Sequence, residues 1–205
     1  VLDACREYRC RLLGGDTNLS DKPWASIACI GFTSSAYPPP RSGARPGDTV
    51  IATGLYGCMG VVVFDGVKEA SRLEWVVDCT RRPTVLTRLA YIISSYSKTI
   101  HASMDVSDGL GYTLYTIAHS SKVSIVIDNL PKHHSSLREY CRDDIECIVK
   151  RVFNGGEEYG VVLVVDSSRV DDLVKDLELY DIPYSIIGKV SREKHEPPYI
   201  IAWHK

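Results

Sequence analysis

The chain has 205 residues, of which 44% are hydrophobic and 24% charged, values typical of a packed globular protein and not of a disordered one. Its 24 Lys and Arg residues against 26 Asp and Glu residues give a formal net charge of -2, and no segment concentrates the basic residues into a stripe suited to nucleic acid. No stretch of about 18 consecutive apolar residues is present, which excludes an apolar membrane-spanning helix from the printed sequence.

The predicted elements of the first 48 residues lead into a linker. Residues 1–13 have near-helical apolar spacing and stop at Gly14-Gly15, and residues 24–33 are β-rich and apolar, typical of a strand. Residues 34–48 are rich in proline and glycine, as linkers often are. We therefore predict a domain boundary in this stretch, with residues 1–35 and 36–205 as separate domains.

Strands and helices follow one another after the linker. The predicted strands are 49–53, 99–104, 123–128, 159–165, 184–190 and 199–203, and the predicted helices are 60–70, 83–95, 109–119, 135–142 and 170–177. Several strands succeed each other without helices long enough for regular crossovers. We therefore predict an α+β fold with a layered mixed sheet and helices, in preference to α/β.

The seven cysteines are an odd number without a CxxC pair. This pattern argues against a disulfide framework and against a zinc knuckle, and it favours a reducing, cytoplasmic environment. The chain begins with Val1 and shows no basic-then-apolar leader, so we expect it to be a piece of a longer protein.

The first motif that could carry chemistry is GGDTN, residues 14–18. Its glycines allow the backbone to approach an anion, and the carboxylate of Asp16 can bind a hard cation through oxygen. The alternative is a plain turn in which Asp16 or Asn18 binds nearby backbone groups, and ordinary turn statistics favour it for this pentapeptide alone.

The second motif is MDVSDGL, residues 104–110, where a predicted strand passes into a predicted helix. Asp105 and Ser107 face the same side in extended geometry, and Asp108 is expected to begin the helix, where backbone N–H groups attract phosphate. Carboxylates next to phosphate require Mg²⁺ between them. The alternative is that Ser107 or Asp108 is only the N-cap of the helix.

Two further motifs contain glycine turns with charged residues. In NGGEEYG, residues 154–160, an acid at the mouth of a buried strand could reach a ligand, although such acids are more often solvated. In RSGARPGD, residues 41–48, Arg41 and Arg45 could contact phosphate oxygens, or they are solvated arginines of a linker.

Other classes of site find no support in the sequence. The six histidines lack metal-ligand spacing, and neither GxSxG nor GxxxxGK[ST] occurs. We therefore predict no covalent nucleophile and no P-loop.

The four motifs GGDTN, RSGARPGD, MDVSDGL and GGEEYG, in this order, resemble those of the thiamine-monophosphate kinases. These enzymes belong to an ATP-dependent superfamily that includes aminoimidazole ribonucleotide synthetase, and the resemblance extends from about Gly14 to the C-terminus. The sequence departs from the family pattern at Leu19, Glu158 and Gly160, where the family usually has Arg, Asp and Glu.

The resemblance implies a fold like the C-terminal domain of aminoimidazole ribonucleotide synthetase, and it assigns a role to eight residues. These are Asp16, Asp105 and Asp108 as Mg²⁺ ligands, Gly15, Arg41 and Ser107 as ATP contacts, and Glu157 and Trp203 as contacts of the thiamine phosphate. An aromatic face at Trp203 would suit the cationic thiazolium ring.

The implied reaction is direct transfer of the ATP γ-phosphoryl group to thiamine monophosphate, giving thiamine diphosphate and ADP. Both substrates are polyanions, so Mg²⁺ is the implied cofactor. The resemblance also implies a homodimer, and it makes residues 1–35 the remnant of an N-terminal ferredoxin-like domain that binds ATP and Mg²⁺. We expect the chain alone to bind nucleotide weakly and to turn over slowly or not at all. The alternatives are another ATP-dependent synthetase of the superfamily and a non-catalytic assembly module.

Overall fold

In the computed structural model, the described residues are 1–32, 38–193 and 199–201, the last three by backbone alone, and they contain one six-stranded sheet. Its strands are β1 Thr49–Thr53, β2 Ile100–Asp105, β3 Ser124–Ile127, β4 Val161–Val165, β5 Tyr184–Ser191 and β6 Tyr199–Ile201. The spatial order is β2-β4-β1-β5-β3-β6. All neighbouring strands are antiparallel except β3 and β6, which are parallel, so the predicted mixed sheet is confirmed.

Helices that follow β1 in the chain cover both faces of this sheet. The helices are α1 Leu2–Glu7, α2 Cys58–Asp65, α3 Val67–Ala70, α4 Glu74–Arg81, α5 Leu89–Ser95, α6 Leu110–Ser121, α7 Ser135–Tyr140, α8 Ile145–Asn154 and α9 Val170–Leu179. None of those in the described part of the chain has the length and apolarity that crossing a membrane requires.

The central strands β1 and β4 are buried on both faces. Their sequences, TVIAT and VVLVV, are rich in β-branched residues and show almost no polar alternation, as expected for strands between two helical layers. Because successive side chains point to opposite faces, Val162 and Val164 belong to the core beneath α2, α6 and α8, while Leu163 and Val165 belong to the core beneath α5 and α9. The sheet thus separates two hydrophobic cores.

The chain divides into two units, Val1–Ser34 and Ser35–Lys205. Among residues 1–32 of the first unit, only α1 is regular, and it ends at Glu7, so the predicted helical stretch to residue 13 is too long. The predicted strand at 24–33 is wrong over its described residues, 24–32, which form neither strand nor helix. A strand needs a hydrogen-bonding neighbour, and the described residues of this unit contain no other strand.

Two predicted helices differ from the structure, and two observed helices were not predicted. Gly66, at φ 82°, separates α2 from α3 where one helix was expected over 60–70. The predicted helix at 83–95 begins only at Leu89, and α4 and α8 were not predicted. Helix α8 nevertheless has a clear start signal, because the side chain of Asp144 accepts a hydrogen bond from the Glu146 N–H (3.0 Å).

Two disulfides contradict the prediction that the chain has no disulfide framework. Cys58 on α2 is bonded to Cys79 on α4, and Cys141 is bonded to Cys147 on α8. The remaining cysteines Cys5, Cys10 and Cys29 are free. An odd count requires only that one cysteine stay unpaired, and the packing of α2 against α4 brings Cys58 and Cys79 together across a sequence separation of 21.

Candidate functional site

A cavity of about 240 Å³ lies at the end of β2. It brings together two of the four sequence motifs, and its lining residues are Asp105, Val106, Ser107, Glu157, Tyr159, Gly160 and Val161. Three residues predicted to bind ligands, Asp105, Ser107 and Glu157, therefore share one cavity although they come from separate parts of the chain.

The connection from β2 to α6 contains the MDVSDGL motif and places it at this cavity. Asp105 is the exposed last residue of β2, while Val106 beside it is fully buried and anchors the connection. The Thr113 hydroxyl on α6 donates to the carbonyl oxygen of Asp105 (3.0 Å), and this hydrogen bond holds the backbone of Asp105 against the helix. Helix α6 begins at Leu110 with Gly109 as N-cap and no side-chain capping bond. The expectation that Asp108 begins the helix is therefore wrong by two residues, and the N-cap alternative for Ser107 and Asp108 is wrong as well.

The NGGEEYG motif is attached to the MDVSDGL motif by two backbone hydrogen bonds. The Val106 N–H donates to the carbonyl oxygen of Gly160 (2.9 Å), and the Glu157 N–H donates to that of Ser107 (2.8 Å). A Cβ at Gly156 would lie 2.5 Å from the Ser107 carbonyl oxygen, so this close approach requires glycine. The two connections thus behave as one rigid rim of the cavity.

Glu157 and Tyr159 present their side chains at this rim. Both are exposed, and partial burial together with the neighbouring carboxylate of Glu157 raises the pKa of Tyr159. A phenol beside a carboxylate offers a hydrogen-bond donor and an acceptor within the same few ångströms. Such a pair can bind a polar ligand that carries both kinds of group.

Glu158 points away from the cavity and was missed by the sequence reasoning. Its Oε1 accepts hydrogen bonds from the backbone N–H groups of Gly57 (2.8 Å) and Met59 (3.2 Å) at the start of α2. Desolvation raises the pKa of Glu158 to about 7, against the opposing effect of those N–H groups. The sequence shows two adjacent acids, but no pattern in it says which of them turns inward.

Gly160 supports the cavity from beneath, and we expect Gly160→Ala to destabilise the protein. An alanine Cβ would meet the Thr53 carbonyl oxygen and would lie 2.6 Å from the hydroxyl of Tyr56, which is fully buried and donates to that same carbonyl (2.9 Å). Since neither group has room to move, the free energy of unfolding should fall by about 2 kcal/mol in urea denaturation. Gly31→Ala, where nothing lies within 4 Å, is the control, and equal stability of the two variants would contradict this account.

The RSGARPGD segment forms a fixed turn at the outer edge of β2, the first strand in the sheet order. The Ser103 N–H donates to the carbonyl oxygen of Pro40 (2.8 Å), and the carboxylate of Asp48 bonds to the His101 ring (2.9 Å) and to the Arg45 N–H (2.7 Å). The backbone from Pro40 to Asp48 is therefore held in place, whereas the side chains of Arg41 and Arg45 are exposed, as the alternative of solvated arginines expects. Arg41 is exposed at this edge. It is not one of the described residues that line the cavity.

The remaining predicted site residues lie elsewhere. Gly15 and Asp16 belong to the first unit, where Asp16 accepts hydrogen bonds from the Thr17 N–H (2.9 Å) and the Asn18 amide (3.0 Å), the pattern of the plain-turn alternative. Trp203 lies outside the described residues.

The residues at the end of β2 fit Mg²⁺ as it is usually bound. Within the described part of the chain no group of three or more His, Cys, Asp or Glu side chains could hold a metal ion by itself. Mg²⁺ is commonly held by one or two carboxylates together with water and substrate phosphates, without an all-protein cage. Asp105 and Asp108, both exposed on one short connection, match that donor set.

Comparison with known proteins places this geometry in a family. The model of the family described as AIR synthase related protein, C-terminal domain, matches residues 45–200. A thiamine-monophosphate kinase of Nitrosopumilus maritimus is 30% identical over 196 residues, covering 93% of this chain and 60% of the relative. A thiamine-monophosphate kinase of Pyrococcus horikoshii is 28% identical over 195 residues, covering 95% and 58%. The chain thus spans about 60% of the length of these relatives.

Solved structures share the fold. The thiamine-monophosphate kinase from Stenotrophomonas maltophilia has a TM-score of 0.66 at 24% identity, covering 80% of this chain and 52% of that chain. AaThiL complexed with AMPPCP and TMP has a TM-score of 0.62 at 22% identity, covering 82% and 51%. These superpositions confirm the predicted α+β fold, and the curated relatives confirm the resemblance to the thiamine-monophosphate kinases. Because the family model covers most of the sheet and both motifs of the cavity, the chain belongs to the AIR synthase related protein family and carries its C-terminal domain.

Proposed function

We propose that this chain is the C-terminal part of an ATP-dependent kinase that phosphorylates thiamine monophosphate to thiamine diphosphate. The observation that supports this most directly is the cavity at the end of β2, where Asp105, Ser107 and Glu157 meet. The names of the curated relatives supply the substrate, and AaThiL is a related fold solved with AMPPCP and TMP.

The residues of the cavity suit a direct transfer between two polyanions. The carboxylate of Asp105 in the cavity lining and that of Asp108, on the same connection but not among the lining residues, would hold Mg²⁺, which neutralises developing charge on the phosphates when bound. The Ser107 hydroxyl and the N–H groups that open α6 can donate to phosphate oxygens. Glu157 and Tyr159 face the same space and would orient the acceptor, and no step requires a covalent nucleophile.

The other ligand contacts remain part of the proposal. Arg41 would bind phosphate oxygens from the outer edge of β2. Gly15 would contact ATP, and Asp16 would be a Mg²⁺ ligand. Trp203 would contact the thiamine ring. We also propose that residues 1–35 are the remnant of an N-terminal ATP- and Mg²⁺-binding domain. Isothermal titration of the 205-residue chain should then show only weak ATP binding, and tight binding would contradict this.

The decisive assay supplies ATP, Mg²⁺ and thiamine monophosphate to the full-length protein and measures thiamine diphosphate and ADP. Formation of both products supports the kinase. ADP release without thiamine diphosphate would indicate another ATP-dependent synthetase of the superfamily. Failure to bind Mg·ATP would indicate a non-catalytic assembly module.

Asp105→Asn should weaken Mg·ATP binding by the full-length protein. The substitution removes the charge of one proposed Mg²⁺ ligand while it keeps the size of the side chain, so we expect at least about a tenfold increase in Kd by calorimetry. Asp171→Asn, an exposed position in the first turn of α9, is the matched control and should leave the Kd unchanged. Unaltered binding in Asp105→Asn would remove this residue from the metal site.

We further propose a homodimer in the cytoplasm. The family resemblance supports the dimer, which sedimentation analysis of the full-length protein would test. The use of ATP as donor supports a cytoplasmic location. The two disulfides are unusual there, and intracellular proteins of hyperthermophilic archaea and bacteria are the known exception. Alkylation of thiols in intact cells followed by mass analysis would show whether the disulfides exist in that compartment.

A further inference from the structure

The backbone on either side of Glu158 has an uncommon conformation. Glu157 at φ 54° and Tyr159 at φ 56° are both left-handed, a state that residues other than glycine rarely adopt. Such conformations persist where the surrounding structure holds them in place. The side chains of Glu157 and Tyr159 line the cavity beside Asp105, whereas the carboxylate of Glu158 between them points to α2. The contact that holds the Glu158 carboxylate at α2 therefore also sets the orientation of Glu157 and Tyr159.

The first turn of α2 provides that attachment. Glu158 Oε1 accepts from the N–H groups of Gly57 and Met59 at 2.8 and 3.2 Å. These N–H groups are among those that a helix leaves without an intrahelical partner, and they favour a carboxylate both as donors and through the helix dipole. Helix α2 packs on α8 and is bonded through Cys58 to α4, so the attachment point is itself fixed.

Glycine allows the loop to approach α2 this closely. A Cβ at Gly155 would lie 2.6 Å from the backbone nitrogen of Gly60 and 2.8 Å from Glu158 Oε1. Real Cβ atoms essentially never approach other atoms so closely, and any side chain at this position would displace the loop. The contact between the loop and α2 is therefore a close, specific fit of these residues.

We propose that Glu158 is a positioning residue of the cavity: its contact with α2 holds Glu157 and Tyr159 in the orientation in which they line it. Glu158 does not itself line the cavity, so it acts through these neighbours. The identity of the ligand that they contact rests on the proposed function, whereas the positioning does not.

The first test is hydrogen exchange on the 205-residue chain. Glu158→Ala removes the oxygen that accepts both hydrogen bonds. The amides of Glu157 and Val161, which donate to the Ser107 carbonyl and the Thr53 hydroxyl, should then exchange at least about ten times faster, while those of β1 and β5 keep their rates. Glu158→Gln keeps an acceptor oxygen at the same distance and should restore slow exchange. Glu139→Gln, an exposed position on α7, is the matched control. If Glu158→Ala unfolds the chain, Glu158→Asp, shorter by one methylene, should show the same local effect in weaker form.

The second test is calorimetric titration of the full-length protein with thiamine monophosphate. Glu158→Ala should raise the Kd at least tenfold, and Glu158→Gln should bring it back to within about threefold of the parent. A purely structural contribution would instead change stability and leave the Kd of the folded protein unaltered.

The outcomes separate the two proposals. Unchanged exchange at the amides of Glu157 and Val161 in Glu158→Ala, or no rescue by Glu158→Gln, would overturn the positioning role whether or not the protein binds the ligand. The two tests can also disagree: the exchange rates change as expected, but the protein does not bind thiamine monophosphate. That result would support the positioning of Glu157 and Tyr159 and would overturn the proposed substrate.

Discussion

Glu158→Gln should make the stability of this protein less dependent on pH, with an effect of about 3 kcal/mol between pH 4.5 and 8.5. Desolvation raises the pKa of Glu158 from 4.5 to about 7, so the folded chain binds a proton that the unfolded chain has already released. The stability that this group contributes is fully present below pH 4.5 and is lost as the pH rises through 7. The difference between the two pKa values corresponds to about 3 kcal/mol.

Urea denaturation of both proteins at several pH values measures this effect. Glutamine keeps an acceptor for the Gly57 and Met59 N–H groups but does not titrate, so the variant should gain stability relative to the parent as the pH rises. The control Glu139→Gln should follow the parent at every pH. Parallel stability curves for Glu158→Gln and the parent would show that Glu158 is solvated in the folded chain.

Cys79→Ser should lower the free energy of unfolding by about 3 kcal/mol under non-reducing conditions. The Cys58–Cys79 disulfide closes a loop with a sequence separation of 21, and removal of this constraint returns conformational entropy to the unfolded chain. The Cys141–Cys147 disulfide has a separation of only 6, so Cys147→Ser should cost less, about 2 kcal/mol. Thermal or urea denaturation of the oxidised proteins measures both.

Thiol titration and a third variant complete this experiment. Cys29→Ser changes a free, exposed cysteine and should leave stability unaltered. The denatured, unreduced parent should expose three thiols, those of Cys5, Cys10 and Cys29. Seven thiols before reduction, together with no loss of stability in Cys79→Ser, would contradict the disulfide assignment.

Several elements follow from local sequence alone. The short apolar runs TVIAT and VVLVV predict strands because β-branched residues, which dominate both, favour the extended backbone. The predicted helix 109–119 and the predicted strand 99–104 differ from α6 and β2 by at most two residues at either end, because the spacing of apolar residues also indicates these elements. The glycine-containing motifs between these elements mark the connections that line the cavity.

Other elements depend on contacts that the local sequence does not specify. The apolar run from Trp24 to Phe32 forms no strand, since the described residues of its unit offer it no partner strand, and pairing is a property of two segments. The helices α4 and α8 both pack against α2, and this packing supplies stability that propensity alone does not. The cysteine pairs likewise result from helix packing.

By itself, the sequence determined the family, the class of fold, most of the strands and the motifs that carry acids, because these depend on residue type and spacing along the chain. The tertiary structure alone decided that Asp105, Ser107 and Glu157 share a cavity, that Glu158 turns inward to α2, and that four cysteines are paired. The physical reason is that hydrogen bonds, burial and disulfides join residues that are distant in sequence, and only the packed chain brings those residues together.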